Sequence, residues 1–375
     1  MISICVGGDS DLAQTEPADV KFGRLAKDSK KRRIYTVPDG YSQKIRQLQA
    51  NATRAFQHRV ILYHPLLQTL LQEAVAVAVE ACADDTKGQV CYICTQALHW
   101  KTKEGLVRGC SCRGTSGVAH VSCLVEQAKI LVAEAEDNNL GHKALDSRWA
   151  RWYTCSLCEQ DHHGAVCCAL VWGCWKTYVG RPVGDGRRHM AMTALGNGLF
   201  GVRRTTEAVA VFEAAIETSQ RLRFPGGAIV AVQNNLAFCY GDLGRNDEMV
   251  SIQRSVHAHH LSFDGPTHDD TILAAFNLAN SLGKLGHYAE SKSILRDLLP
   301  GARGLMALRA SWAYANDLLA DPNASVEDLR ESVAKLTSVE KSWKRVMGPN
   351  HPELPRLQNV LRRAHVELAA RAPES

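Results

Sequence analysis

Between Cys91 and Cys158 the chain sets out eight metal-ligating side chains in four close pairs: Cys91-x2-Cys94, Cys110-x-Cys112, His120-x2-Cys123 and Cys155-x2-Cys158. A Cys-x-x-Cys turn lets two sulfurs reach one ion at about 2.3 Å, so each pair supplies half of a tetrahedral site and a sequence-distant pair must complete it. Eight ligands make two such sites, and the spacing predicts a small domain, within residues 87–160, folded around two structural Zn2+ ions. Few apolar residues separate the pairs, so burial alone should not hold this segment. Structural zinc, at roughly 10 to 16 kcal/mol of apparent binding energy, should.

The rest of the composition agrees with that reading. Of 13 cysteines, ten fall between Cys91 and Cys174, a clustering that points to metal ligation rather than to a disulfide framework. The N-terminus lacks the charged start, apolar core and cleavage site of a signal peptide, as expected of a compartment where thiolates stay reduced. A soluble, intracellular protein is expected, in the cytoplasm rather than the nucleus, although Lys30, Lys31, Arg32 and Arg33 could be read as a nuclear import signal. The net charge of +5 is small for 375 residues and implies no basic stripe, so nucleic acid is not an expected partner. No membrane span is expected either: the most apolar stretch, Ala165–Trp175, is far short of the roughly 18 residues one requires and reads as a buried helix.

Around the ligand pairs the organisation is helical. Residues 1–35 carry no apolar periodicity and read as a disordered basic tail, with seven basic residues between Lys21 and Arg33 facing only Asp28. In residues 36–86, Ile45, Leu48 and Ala52 share one helical face and Leu66, Leu70, Ala74 and Ala78 another, predicting two amphipathic helices. Val121, Leu124, Ala128, Leu131 and Ala135 predict a helix inside the long x31 gap, ended by Asp137-Asn138-Asn139. Residues 161–184 read as a helical connector, whose His162, His163, Cys167, Cys168 and Cys174 are read as packing residues because eight ligand positions are already filled.

Beyond residue 185 the chain repeats itself. Asn235-Leu236-Ala237 recurs as Asn277-Leu278-Ala279, and Leu243-Gly244 as Leu285-Gly286, both displaced by 42 residues. Leu195 and Glu207-Ala208 stand 41 residues before Leu236 and Glu248-Met249, and Trp312 to Asn316 echoes Phe276 to Asn280 after a shorter step of 36. A shared displacement of this size is the signature of stacked helix pairs. About four pairs are expected over residues 185–372, with Ser325 and Asp328 at capping-box spacing and Leu354–Ala369 as a terminal capping helix.

Two resemblances follow from these residues. A Cys-x-Cys second pair followed after seven residues by His-x-x-Cys resembles the RING-CH (RING-variant) zinc finger over about 70 residues. That resemblance implies a cross-brace, with Cys91, Cys94, His120 and Cys123 on one ion and Cys110, Cys112, Cys155 and Cys158 on the other. It also implies that Ile93, between the first two ligands, presses into a ubiquitin-conjugating enzyme. The PHD finger shares the ligand order but usually places a tryptophan two positions before its last pair, where this chain has Trp152 three before Cys155. Three features depart from RING domains: Leu124 to Gln127 lacks the usual tryptophan, Glu159 follows Cys158 where a cation is usual, and the x31 gap is long.

The segments Phe263–Asp269 and Val346–Pro352 share Gly-Pro-x-His and lie 83 residues apart, and they are similar to the linkers of kinesin-light-chain-type tetratricopeptide repeats. In that family the first helices of each pair line a peptide groove, so Asn235, Asn277, Asn280 and Asn316 become candidate contacts to an extended chain, unless they bond neighbouring backbone instead. The expected fold is thus mainly α, a small two-zinc cross-brace module followed by an α-solenoid. The expected function is a ubiquitin ligase that catalyses by positioning and so needs no nucleophile of its own. A peptide or protein substrate would sit in the repeat groove. The alternatives are a zinc-stapled scaffold without catalysis and a PHD-like reader of histone tails. No phosphate-binding Gly loop, nucleophile elbow or open three-ligand metal motif points to a metabolic enzyme.

Overall fold

The structure is a computed structural model that describes residues 64–349, 351 and 353–371. The tail and the helix expected around Ile45, Leu48 and Ala52 lie outside the described residues. Among the described residues the architecture is helical, with no β-strand and two isolated bridges, Val107 with Ala119 and Thr154 with Asp161.

Helix α1 (His64–Ala81) and a short turn of helix, α2 (Ala83–Thr86), precede the first ligand pair. Helix α3 (Val121–Asp137) starts directly after His120 and ends at Asn138, as its periodicity predicted. Val132 rather than Leu131 is the fully buried residue of its middle turn. The remainder of the x31 gap holds a helix not foreseen, α4 (His142–Trp149), and a 3₁₀ turn (Ala150–Trp152), whose Trp149 and Trp152 are both buried.

Helix α5 (Gly164–Tyr178) is apolar on nearly every side, which a helix can be only if neighbours cover it all round. It packs on α1, on α3 and on the first helix of the repeat array, α6 (Gly186–Gly201). Its Trp172, Cys174 and Trp175 lie in one core that also takes in Leu67 of α1, Val132 of α3, Trp149, Trp152 and Leu195 of α6. A residue larger than glycine has no room where these helices touch: a Cβ at Gly198 would meet Val171 Cγ2 at 2.3 Å. The segment read as a connector is therefore the packing centre of the N-terminal half.

The array continues with α7 (Thr205–Arg221), α8 (Gly226–Asp242), α9 (Asn246–Phe263), α10 (Asp269–Lys284), α11 (Tyr288–Leu298), α12 (Gly304–Ala320), α13 (Val326–Met347) and α14 (Leu354–Arg371). Each helix packs on the next, so α6 to α13 form four successive pairs and α14 closes the end. The repeated Leu-Gly has a local cause. At the turn inside the pair, the N–H of Arg245 donates to Tyr240 O (2.8 Å) and that of His287 to Leu282 O (2.9 Å), a helix-ending loop that needs a left-handed residue, supplied by Gly244 (φ 71°) and Gly286 (φ 84°). In the first pair the same bond runs from Arg204 to Leu199 O (2.9 Å), and Arg203 takes the left-handed position at φ 63°. Ser325 and Asp328 form the capping box expected for α13.

The ligand-rich segment and the array are also joined by charge. Glu136, near the end of α3, accepts from Arg181 Nη2 (2.7 Å) and Arg187 Nε (3.2 Å). Hydrogen bonding to the Arg181 guanidinium holds its carboxyl below the usual range.

Candidate metal centres

The eight ligand side chains come together as two clusters of four. Cys91, Cys94, His120 and Cys123 form one and Cys110, Cys112, Cys155 and Cys158 the other, with the donor atoms of each cluster within 4.8 Å of one another. The clusters interleave along the sequence, first pair with third and second with fourth. Local geometry aims each set: Cys91 and Cys94 flank a turn whose Ile93 and Cys94 N–H groups point at Cys91 Sγ (3.4 and 3.5 Å), and His120 is the residue before α3, which places Cys123 one turn later. The bridge between Val107 and Ala119 brings the Cys110-x-Cys112 loop back under that helix start. Gly117 (φ 75°) lies so close to Cys110 and Cys112 that no side chain fits there.

The spacing of the donors suits a tetrahedral ion. Bonds of about 2.3 Å to sulfur require S···S edges of about 3.8 Å, whereas a disulfide requires about 2.05 Å. Cys112 Sγ and Cys155 Sγ are 3.9 Å apart, and His120 Nδ1 lies 3.3 Å from Cys94 Sγ and 3.7 Å from Cys123 Sγ. Nδ1 is thus the nitrogen facing the cysteines, while Nε2 lies 3.4 Å from Ala97 O, the outward hydrogen bond that fixes a coordinating histidine's tautomer. Burial keeps His120 neutral by lowering its pKa, as a ligand must be.

Thiol electrostatics show what a cation would have to do. Burial pushes Cys110 and Cys123 well above the ordinary thiol range and Cys112 up to about 11. At Cys91 burial acts the same way, but N–H groups of Cys94, His120 and Ile93 outweigh it and draw the pKa down. Raised thiols of this kind stay protonated on their own and become thiolates only with a cation between them, so metal uptake would release their protons. The donor set therefore fits zinc at both clusters.

The other cysteines and histidines named in residues 161–184 join neither cluster. Cys168 and Cys174 pack in the core, and buried His162 has its pKa pushed down to about 4 by desolvation. Ile93 sits on the surface with 38% exposure, and so does Leu157, at 51%, between the last two ligands. Their loops are stitched together by a polar triad that the spacing of the ligands gave no reason to expect: Tyr92 Oη and Ser156 Oγ are 3.1 Å apart, and both reach Gln127 Oε1 of α3. An open groove of about 1500 Å³ runs between α1 and α3 under the exposed Trp100, and neither the eight ligands nor these loops line it.

In the array, Asn235 donates through Nδ2 to Asn197 Oδ1 (2.9 Å) and Asn277 to Asn234 Oδ1 (3.4 Å). These amides bridge the first helices of neighbouring pairs, side chain to side chain. Asn280 and Asn316 are half-buried, and their side-chain amides have no hydrogen-bond partner among the described residues.

Sequence comparison agrees with both halves. Residues 91–140 match the RING-variant domain and residues 228–303 the tetratricopeptide repeat. The first match stops short of Cys155 and Cys158, which only the fold brings to Cys110 and Cys112. The chain therefore carries a RING-variant domain followed by a tetratricopeptide-repeat-like helical solenoid. No curated protein matches the chain. Among solved structures it is similar to the TPR-like repeats of a kinesin light chain from Podosopora anserina, at 20% identity over 51% of this chain and 90% of that one with a TM-score of 0.43. It is also similar to BtubC from P. vanneervenii, at 11% identity over 82% and 94% of the two chains with a TM-score of 0.33. Among the described residues no helix is long and apolar enough to cross a membrane.

Proposed function

We propose that this chain is a RING-type ubiquitin ligase in which two zinc ions, one in each cluster, shape a surface that receives a ubiquitin-conjugating enzyme while the repeat array holds the substrate. The observation that carries the reading is the interleaved pair of four-ligand clusters inside a segment matching the RING-variant domain. Ile93 and Leu157 supply the apolar contacts of that surface, and the Tyr92–Gln127–Ser156 triad fixes the distance between their loops. Catalysis is by positioning: the module would hold the thioester-linked ubiquitin in a reactive pose and contribute no nucleophile.

In the array, Asn280 and Asn316 have amides available to both N–H and C=O of an extended peptide, whereas Asn235 and Asn277 would first have to leave their partners Asn197 and Asn234. Because α5 packs on both the ligand-rich segment and α6, the enzyme-binding surface and the groove would keep a fixed relation during transfer.

The test is a reconstituted reaction with ubiquitin, activating enzyme and a panel of conjugating enzymes. Wild type should form chains, Ile93→Ala should be slowed severely with its fold intact, and Cys91→Ser should be inactive. Absence of chains with every conjugating enzyme would sink the ligase reading.

A zinc-stapled scaffold without catalysis is the second reading. It is favoured by Gln127, which stands in the helix turn where a tryptophan is usual and is tied to Tyr92 and Ser156, and by Glu159 in place of a cation. On that reading Ile93→Ala changes no rate, because there is none to change. The PHD-like reading has no comparable support, since the domain match is to the RING variant.

A further inference from the structure

We infer that His260, Asp264 and Asp270, at the joint between α9 and α10, form a third cation site of the zinc class, independent of the two clusters in the RING-variant segment. The three side chains converge from two helices and their linker, with one nitrogen and two carboxylate oxygens within 4.8 Å of one another. His260 and Asp264 are one helical turn apart, a spacing that puts both on one face, and their Nδ1 and Oδ2 atoms are 2.7 Å apart. Asp270 enters from the first turn of α10.

The chain contains its own control for this joint. The linker after α9 and the linker after α13 share Gly-Pro-x-His at a displacement of 83 residues, and both glycines are left-handed, Gly265 at φ 85° and Gly348 at φ 89°. In both, the histidine Nδ1 accepts the N–H of the residue two positions on: Asp270 to His268 at 3.3 Å and Glu353 to His351 at 3.2 Å. The linker fold therefore needs the shared histidine and glycine and is satisfied by them. What differs is the set around them. The positions of His260 and Asp264 are taken in the second joint by Trp343 and Met347, and Trp343 closes that joint by donating from Nε1 to His351 Nδ1 (3.3 Å) with its ring edge-on to the imidazole. The second joint is sealed by a buried indole, whereas the first presents ligand-type side chains that its backbone does not require.

Donor chemistry selects the ion. One imidazole and two carboxylates leave a fourth tetrahedral position for water, an arrangement zinc accepts, whereas calcium and magnesium prefer all-oxygen shells. The side chains of Asp264 and Asp270 are 33% and 31% exposed, which leaves access for the ion and its water. Bonds of about 2.0 to 2.2 Å need ligand edges of about 3.4 Å, so the ion would take the place of the proton now shared between His260 and Asp264. That proton moves to Nε2 if the ring is neutral, or to solvent if it is charged. Bound there, the ion would clamp the second helix pair to the third and set the curvature of the array with zinc supply.

The experiment is equilibrium dialysis of the full chain against graded free Zn2+, with metal counted per chain and parallel arms in Ca2+ and Mg2+. Wild type should take up one equivalent beyond its tightly held complement. His260→Gln and Asp264→Asn should abolish that equivalent and leave the tight complement unchanged. The pair His260→Trp with Asp264→Met, which copies the second joint, should behave the same way while keeping the linker folded. Added zinc should also slow amide exchange over residues 257–272 in wild type alone. Wild type with no extra equivalent, variants that keep it, or Ca2+ filling the site as readily as Zn2+ would each overturn the proposal.

Discussion

Residues 91–158 and residues 186–371 are held together by different forces. In the first, sequence-distant pairs are gathered at two points, and the apolar core beneath them is shared with α1 and α5. In the second, every helix buries an apolar stripe on its sequence neighbour, and separate cores follow one another down the stack, around Leu295 and Tyr314 and then around Trp312, Trp343 and Leu357. Ligand closure is all-or-none and chemical. Stacking is graded and local, a sum of neighbour terms. The two meet in α5, so the first region is less independent than its short apolar content suggested.

The largest effect should come from breaking the ligand side of this comparison. Removing metal with a strong chelator, or replacing Cys155 by Ser, should cost on the order of 10 kcal/mol locally and unfold residues 91–158. Because α5 shares their core, amide exchange should also accelerate in α5 and α6, while α10 to α14 stay protected. Mass spectrometry of exchange, resolved by segment, reads this out. Uniform loss of protection through α14 would show that the array has no stability of its own.

Trp172, fully buried where both regions meet, comes next. Trp172→Ala should destabilise by about 3 to 5 kcal/mol and lower the thermal midpoint with metal still bound, because the cavity lies between helices rather than at a ligand cluster. Loss of metal in this variant would place the ligand clusters and the core in a single cooperative unit.

The stretch just after the last ligand pair and the array should also respond to pH in opposite senses. Burial lowers the His162 pKa from 6.5 to about 4, so the stability it contributes is complete above 6.5 and is lost as pH falls towards 4. Burial raises Asp317 from 3.8 to about 6, so this group costs nothing below 3.8 and destabilises the array as pH rises through 6. Each is worth about 3 kcal/mol. Ser291 donates to Asp317 at 2.5 Å and draws its pKa down, but by less than burial raises it. Exchange rates measured from pH 4 to 7 should therefore rise around residues 153–166 on acidification and around α11 and α12 on neutralisation. His162→Gln and Asp317→Asn should flatten the respective slopes, which separates them from proton-driven metal release.

The smallest effect expected is that of Ser325→Ala, which removes the hydroxyl that accepts from the Asp328 N–H (3.1 Å) and should cost about 1 kcal/mol, with fraying confined to the start of α13. Thermal denaturation followed at 222 nm would show it as a small shift without loss of cooperativity.

Much of this molecule can be read in its residues because the information is short-range. A Cys-x-x-Cys turn needs only its own residues, and the Leu-Gly at 243–244 and 285–286 marks a left-handed helix end whatever surrounds it. Val132 in place of Leu131 as the buried residue of α3 shows the limit, since both satisfy the period and only the position of α5 chooses between them. Asn235 and Asn277 show it again: their identity is legible, but whether their amides face a groove or bond Asn197 and Asn234 depends on how closely neighbouring pairs stack.

For the eight candidate ligands with which the chain announces itself, sequence spacing predicted four half-sites that only distant pairs could complete, because each close pair reaches half of a tetrahedral shell. The helical array was determined in the same way, by a period of 42 residues and its turn chemistry. Only the tertiary structure decided that the ligand-rich segment leans on α1 and α5, that Tyr92, Gln127 and Ser156 tie its two exposed loops together, and that His260, Asp264 and Asp270 converge across a helix joint. Those facts depend on which surfaces meet, and burial and convergence are properties of the assembled neighbourhood rather than of any one stretch of chain.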